Sequence, residues 1–351
     1  MSRTIEIRTS PHLKRALSVD QIMRNVVIAL LPICAFAIYQ FGLSALLLLA
    51  TTTGVALLTE WLFSRLSGLG ETLSDWSVVI TGLLLGLTLP PGFPLWMAAV
   101  AAFVGVGLGK ALFGGLGFNV MNPALVGRAF VQAAFPVAIT TWTPAFAPGR
   151  FTELIPSTLT PPFLQPIPVA DWVKGLQLDA WTGATPLALQ KFEHIEAPIE
   201  QVFTGMVAGS AGETSALLIL LCGLWLAWRR CMDWRIPLAV LGSAALTALP
   251  FWLHDTSVYP SPWFVLSSGG LMLGAWFMAS DMVASPVTPR GALLYGALIG
   301  VLTVVIRLFG GLVEGVMYAI LIANAAGPLL SDWTQPRIYG AVKARSANER
   351  K

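Results

Sequence analysis

The sequence predicts an all-α polytopic membrane protein with about ten transmembrane helices. Three observations lead there. Of the 351 residues, 56% are apolar and only 11% charged, where a soluble domain carries roughly a quarter charged residues. About ten stretches approach the ~20 mostly apolar residues that a spanning helix needs. The basic residues, finally, fall almost wholly on one side of the alternation those stretches impose, as the positive-inside rule requires.

Taken in order, residues 1–24 are polar and basic and lead into no small-residue cleavage site, so no removed signal peptide is expected. A first membrane half, 25–138, holds helices near 25–41, 43–63, 75–91, 94–113 and 120–138. Gly and Pro punctuate it, as where Leu85-Gly86 runs into Leu89-Pro90-Pro91-Gly92. Residues 139–213 form the one long polar connection. A second membrane half, 214–330, holds helices near 214–229, 236–253, 263–281, 291–308 and 312–330, and 331–351 is a tail.

An even number of passages puts both termini on one side. That side receives Arg3, Arg8, Lys14, Arg15, Arg24, Arg65, Lys110, Arg229, Arg230, Arg235, Arg290, Arg337, Lys343, Arg345, Arg350 and Lys351. The other receives Arg150, Lys174 and Lys191, while Arg128 and Arg307 fall within or beside spans. Cytoplasmic termini are therefore expected, with 139–213 in the periplasm of a bacterial inner membrane. Tryptophans such as Trp61, Trp96, Trp263 and Trp333 stand near expected span ends, where interfacial anchoring accounts for them.

An internal repeat is also visible. Leu112-Phe113-Gly114-Gly115 recurs as Leu308-Phe309-Gly310-Gly311, and Gly82-Leu83-Leu84-Leu85-Gly86 is echoed by Gly270-Leu271-Met272-Leu273-Gly274. Five passages per half would invert the second copy, and inverted repeats place sites near the bilayer midplane. Chance resemblance between Leu- and Gly-rich membrane helices is the alternative.

Composition removes several functions. A net charge of +3, with no Lys/Arg run interleaved with aromatics, speaks against nucleic acid. Cys34, Cys222 and Cys231 show no CxxC spacing, and His12, His194 and His254 are scattered; neither a metal site nor a nucleophile–base arrangement is expected.

Two stretches carry candidate chemistry. In Asp179-Ala180-Trp181-Thr182-Gly183-Ala184-Thr185-Pro186, Gly183 and Ala184 strip bulk from beside the Thr185 hydroxyl and Pro186 stiffens the chain after it. Local chemistry alone favours Thr185 as a helix cap; a phosphoester at the same oxygen would tether a flavin mononucleotide outside the membrane. In the second, Gly117 to Phe130, Asn119 and Asn122 stand at a helix entrance where free N–H groups could meet a polar ligand. Arg128 lies deeper, facing a partner, cavity or cofactor or else snorkelling to an interface. Asp281, in Met278 to Gly291, reads as a solvated turn residue.

The residues Asp179 to Thr185, Asn119-Val120-Met121-Asn122-Pro123-Ala124 and Ser285-Pro286-Val287-Thr288-Pro289-Arg290-Gly291 resemble the RnfD family of the Rnf electron-transport complex, itself similar to the NqrB component of the sodium-pumping NADH:quinone reductase. Met282 departs from the pattern, standing where that family usually has proline. The resemblance implies that Thr185 carries covalent FMN, placed by a magnesium-dependent flavin transferase at a motif including Asp179, Thr182, Gly183 and Ala184. It implies a second, non-covalent flavin, riboflavin, in the membrane, and we expect Asn119, Asn122 and Arg128 near it. It also implies a fold like urea and ammonium channels, with two inverted five-helix halves.

Two functions follow from different classes. One is a redox subunit passing electrons between ferredoxin and NAD, coupled to sodium or proton movement, with the ferredoxin and NAD sites on other Rnf subunits; this chain has neither a cysteine cluster nor a dinucleotide fingerprint. The other is a flavin-free channel or transporter of the same fold.

Overall fold

A computed structural model describes residues 18–68, 75–164, 169, 172–173 and 183–336. No strand occurs among the described residues. The first half contains α1 (Val19–Phe41), α2 (Leu43–Ser67), α3 (Ser77–Thr88), α4 (Leu95–Gly109), α5 (Pro123–Ala134) and the short α6 (Pro136–Ile139). The connecting segment contributes α7 (Pro186–Glu193) and α8 (Ile199–Thr204). The second half holds α9 (Ala216–Trp228), α10 (Arg235–His254), α11 (Pro262–Ser267), α12 (Leu271–Leu273) with a π-helical turn at Gly274–Met278, α13 (Pro289–Phe309) and α14 (Val316–Thr334).

Among the described residues six helices are long and apolar enough to cross a membrane: α1, α2, α4 with the turn extending it to Phe113, α10, α13 and α14. The other expected stretches are shorter. α3 and α5 have 12 residues each and α9 has 13, about 18–20 Å of helix against ~30 Å of hydrocarbon. The stretch at 263–281 is divided among α11, α12 and the π-helical turn.

The break after α3 has a clear cause. Pro90 and Pro91 supply no N–H and disfavour helix before them, so the last carbonyls of α3 need other donors. Gly212 N donates to Leu87 O at 2.7 Å and Ala211 N to Leu89 O at 3.0 Å. Gly212 is required for that approach, since a Cβ there would stand 2.6 Å from Leu87. Irregular backbone at membrane depth is tolerated when protein covers it in this way.

Hydrogen bonds gather the connections at two ends of the helix bundle. At one end, Leu43 N meets Arg150 O at 2.9 Å and Leu95 N meets Thr158 O at 3.1 Å, Gln40 Nε2 reaches Gly205 O at 2.9 Å, and Lys191 Nζ reaches Leu312 O at 2.7 Å. At the other, Asn122 Nδ2 reaches Met278 O at 3.3 Å, Asn25 Nδ2 reaches Cys231 Sγ at 3.4 Å, and the Thr288 and Thr334 hydroxyls meet. α4 lies against α2 and α5, and α13 lies against α10 and α14; one Leu-Phe-Gly-Gly stands just after α4 and the other at the end of α13.

Candidate functional site

Both candidate sites are built on α5. Its start is fixed by Asn122, whose Oδ1 accepts from Ala124 N at 3.0 Å and Leu125 N at 3.4 Å, with Pro123 at the first helical position. The cap expected of Asn122 is present, and its amide does more: Nδ2 donates to Met278 O at the end of the π-helical turn, tying the two halves together.

Around this start lies a cavity of about 90 Å³. Asn119, Asn122, Lys110, Thr81, Trp276 and Asp281 line it. Two of these present buried polar atoms without partners, Asn119 Oδ1 and Trp276 Nε1. A buried, unpaired acceptor and donor on two residues that line one cavity cost free energy unless a partner reaches them. Asp281, expected as a solvated loop residue, instead lines this cavity, its Oδ1 accepting from Val283 N at 3.1 Å.

Lys110 also needs correcting. Expected as a loop charge on the basic side, it is 3% exposed. Its Nζ donates to both Glu60 oxygens at 2.8 and 2.7 Å and to Ser77 Oγ at 2.6 Å, joining the end of α4 to α2 and α3. Burial of that cation is tolerable because its three protons all find acceptors.

Arg128 is placed apart from the asparagines. It lies six residues beyond Asn122, about 9 Å along the helix, is 4% exposed and does not line the Asn119 cavity. It faces partners rather than snorkelling. Nη1 donates to Glu213 Oε1 at 2.6 Å and Nη2 to Glu314 Oε2. The expected trio thus divides between two sites. Glu213 stands just before α9 and Glu314 just before α14, so one guanidinium joins α5 to the end of the connecting segment and to the second half.

The second site begins where Glu213 and Glu314 line a cavity of about 20 Å³ together with Thr185, Ser210 and Gly269. Asp179 and Thr182 lie outside the described residues. Gly183 has φ +68°, and Ala184 follows it into Thr185, whose Oγ1 accepts from Ala188 N at 3.2 Å as the N-cap of α7. The cap reading is therefore correct for this conformation. α7 is held by Leu187, buried with Val202 of α8 and Phe264 of α11. Gln190 Nε2 donates to Val258 O at 3.1 Å, and Lys191 Nζ to Gly310 O at 2.5 Å and Leu312 O at 2.7 Å. Desolvation lowers the Lys191 pKa, a cost those carbonyls offset. Asp255 orders the turn that presents Val258 O, and hydrogen bonds from the Ser257 hydroxyl and N–H hold its carboxyl below the usual range.

Sequence reasoning missed Glu60, Glu213, Glu314 and Trp276 as site residues. Glu60 alone carried a visible signal, an acid inside an apolar run.

The chain matches the model of the NQR2, RnfD, RnfE family over residues 6–340. Three relatives are the D components of ion-translocating oxidoreductase complexes. The chain is 39% identical over 345 residues to that of the Na(+)-translocating ferredoxin:NAD(+) oxidoreductase complex of Acetobacterium woodii, covering 97% of each chain. It is 35% identical over 344 residues to that of the proton-translocating ferredoxin:NAD(+) oxidoreductase complex of Clostridium ljungdahlii, covering 95% of this chain and 96% of the relative. To that of the ion-translocating oxidoreductase complex of Alcanivorax borkumensis it is 38% identical over 341 residues, with 95% and 96% covered.

Proposed function

Because this chain belongs to the NQR2, RnfD, RnfE family, we propose that it is the RnfD component of an ion-translocating ferredoxin:NAD oxidoreductase complex, with FMN esterified to Thr185 and a second, non-covalent flavin beside Asn119. It would act within the assembled complex, where partner subunits hold the ferredoxin and NAD sites. The relatives' names differ in the ion, at 35% and 39% identity, so similarity alone does not choose between sodium and protons. The alternation of connections between the two ends, together with the positive-inside count, supports ten passages in two inverted halves, cytoplasmic termini and a periplasmic Thr185 in a bacterial inner membrane.

The carrying observation is the Asn119 cavity. Two of its lining residues hold an unpaired acceptor and donor, Asn119 Oδ1 and Trp276 Nε1, the types that an isoalloxazine's N–H and carbonyl edge would satisfy, and Asn122 fixes the cavity wall across both halves. A bare channel gives no reason for that pairing. At the other end, Thr185 stands at the N-terminus of α7, where amide groups and the helix dipole favour a phosphate. The cavity there has room for about one water, so it fits an ester oxygen while the ring system would lie outside it. When bound, the flavins supply one-electron and hydride chemistry that amino-acid side chains lack. The protein's part is to bind, orient and shield them, with Lys110–Glu60 and Arg128–Glu213 as fixed charges nearby.

The test is direct. After co-expression with a flavin transferase, the chain should give a band fluorescent under ultraviolet light in a denaturing gel, absent in Thr185→Val; a dark wild-type band would refute the covalent assignment. For the second flavin, Asn119→Leu and Trp276→Phe should each weaken retention about tenfold, equivalent to one lost hydrogen bond. The readout is flavin released per chain on acid precipitation, with the covalent band unchanged.

A further inference from the structure

Thr185 is enclosed. It is 6% exposed, its Oγ1 is engaged with Ala188 N, and the cavity beside it holds about 20 Å³. A modifying enzyme must bring an electrophilic phosphorus into line with Oγ1, and that approach needs far more room. Leu187 seals one side, seated so closely on Gly269 that a Cβ there would overlap Leu187 Cδ1. α7 is held by few attachments: the buried Leu187, Gln190 and the capping His194 at Val258 O, and Lys191 at two carbonyls.

We propose that α7 is a plug that must be undocked for Thr185 to be modified, and that Lys191, bridging to Gly310 O and Leu312 O, is the latch that ends access. The inference rests on Thr185 being the flavin acceptor. With α7 released, the Thr185 oxygen attacks the phosphorus of an FMN donor activated as a phosphoric anhydride. The Oγ1–P bond forms, the anhydride P–O bond breaks, the hydroxyl proton passes to a base on the transferase, and the other phosphate leaves as a monophosphate. No electrons change hands. Docking then brings the new ester against Ser210 and Gly269, where water has little access, so the latch also protects the link from hydrolysis.

The experiment uses the full-length chain, produced without transferase and purified in detergent. Purified transferase, Mg²⁺ and FAD, in which FMN is anhydride-linked to AMP, are then added, and the fluorescent band is followed in time. Lys191→Ala and Leu187→Ala should each raise the initial rate roughly tenfold, as loss of a charged donor's contacts would, while Lys191→Arg, which keeps donors for both carbonyls, should stay near wild type. Hydrogen exchange supplies the second readout. The α7 amides should exchange faster in Lys191→Ala, with α10 and α13 unchanged; a general loss of protection would mean unfolding and would count against the latch. Equal labelling rates in wild type and both alanine variants would overturn the proposal. Dark bands in every chain would instead show that Thr185 is not the acceptor.

Discussion

Arg128 shows how far a single residue can be read from sequence. An arginine in an apolar helix announces a partner, because leaving it unpaired is costly; which partner was hidden, because Glu213 and Glu314 stand 85 and 186 residues away. Lys110 fails for the same reason. Its position beside a predicted loop concealed a pairing with Glu60, 50 residues earlier. Replacing Arg128 by Met would strand two carboxylates, and breaking a buried pair costs about 3–5 kcal/mol. We therefore expect Arg128→Met to lose its folded form at a much lower temperature, measured by size-exclusion after heating in detergent. Adding Glu213→Gln and Glu314→Gln should recover part of that loss, since uncharged amides leave no buried charge unpaired. Thr185 was legible to a finer degree: its cap was readable from Pro186 and the residues behind it, whereas its enclosure depends on Gly269 and Glu314 of the second half.

At the scale of elements, apolar runs located the helices but not their lengths or crossings. α3 stops at two prolines that the sequence displays, yet what satisfies its end comes from residues 211–212. The π-helical turn had no local signal. It places Trp276 against Gly223 of α9, where a Cβ would overlap the indole, so packing sets its register. α5 illustrates the same dependence. It crosses α4 so closely that a Cβ on Gly127 would stand 2.5 Å from Ala101 O, and one on Gly105 2.7 Å from Pro123 O, the small-residue contact that membrane helices use. Backbone cannot swing aside as a side chain can. Gly127→Ala should therefore cost about 1–3 kcal/mol through overpacking. Because Asn122, which lines the Asn119 cavity, sits on the same helix, it should also lower non-covalent flavin content, whereas an overpacking defect confined to α4 would lower thermal stability alone.

At the scale of the whole molecule, the question is how many passages the membrane sees. Six of the described helices are long and apolar enough to span, while ten passages would join the two ends if α3, α5, α9 and the broken α11–α12 stretch were counted. The two accounts assign the second-half loops differently. Beginning from Phe163, which is 96% exposed on the long connecting segment, ten passages place Arg230 on the opposite side after α9, Thr256 back on the Phe163 side after α10, and Val287, 92% exposed, opposite again. If only the long helices cross, Arg230 shares the side of Phe163, and Thr256 shares the side of Val287. Single cysteines at these four positions decide it, in a background where the buried Cys34, Cys222 and Cys231 are replaced by alanine. A membrane-impermeant maleimide added to spheroplasts should label positions 163 and 256, and reach 230 and 287 only after permeabilisation. A stretch with ~18–20 Å of regular helix can cross where protein satisfies the backbone at its ends. Leu87 O and Leu89 O are taken by Gly212 and Ala211 of the connecting segment, and Asn122 takes Met278 O, so protein covers the broken backbone after α3 and at the π-helical turn. Labelling of 163 with 230 and of 256 with 287 would remove the inverted repeat, and with it the argument that two related halves enclose the Asn119 cavity.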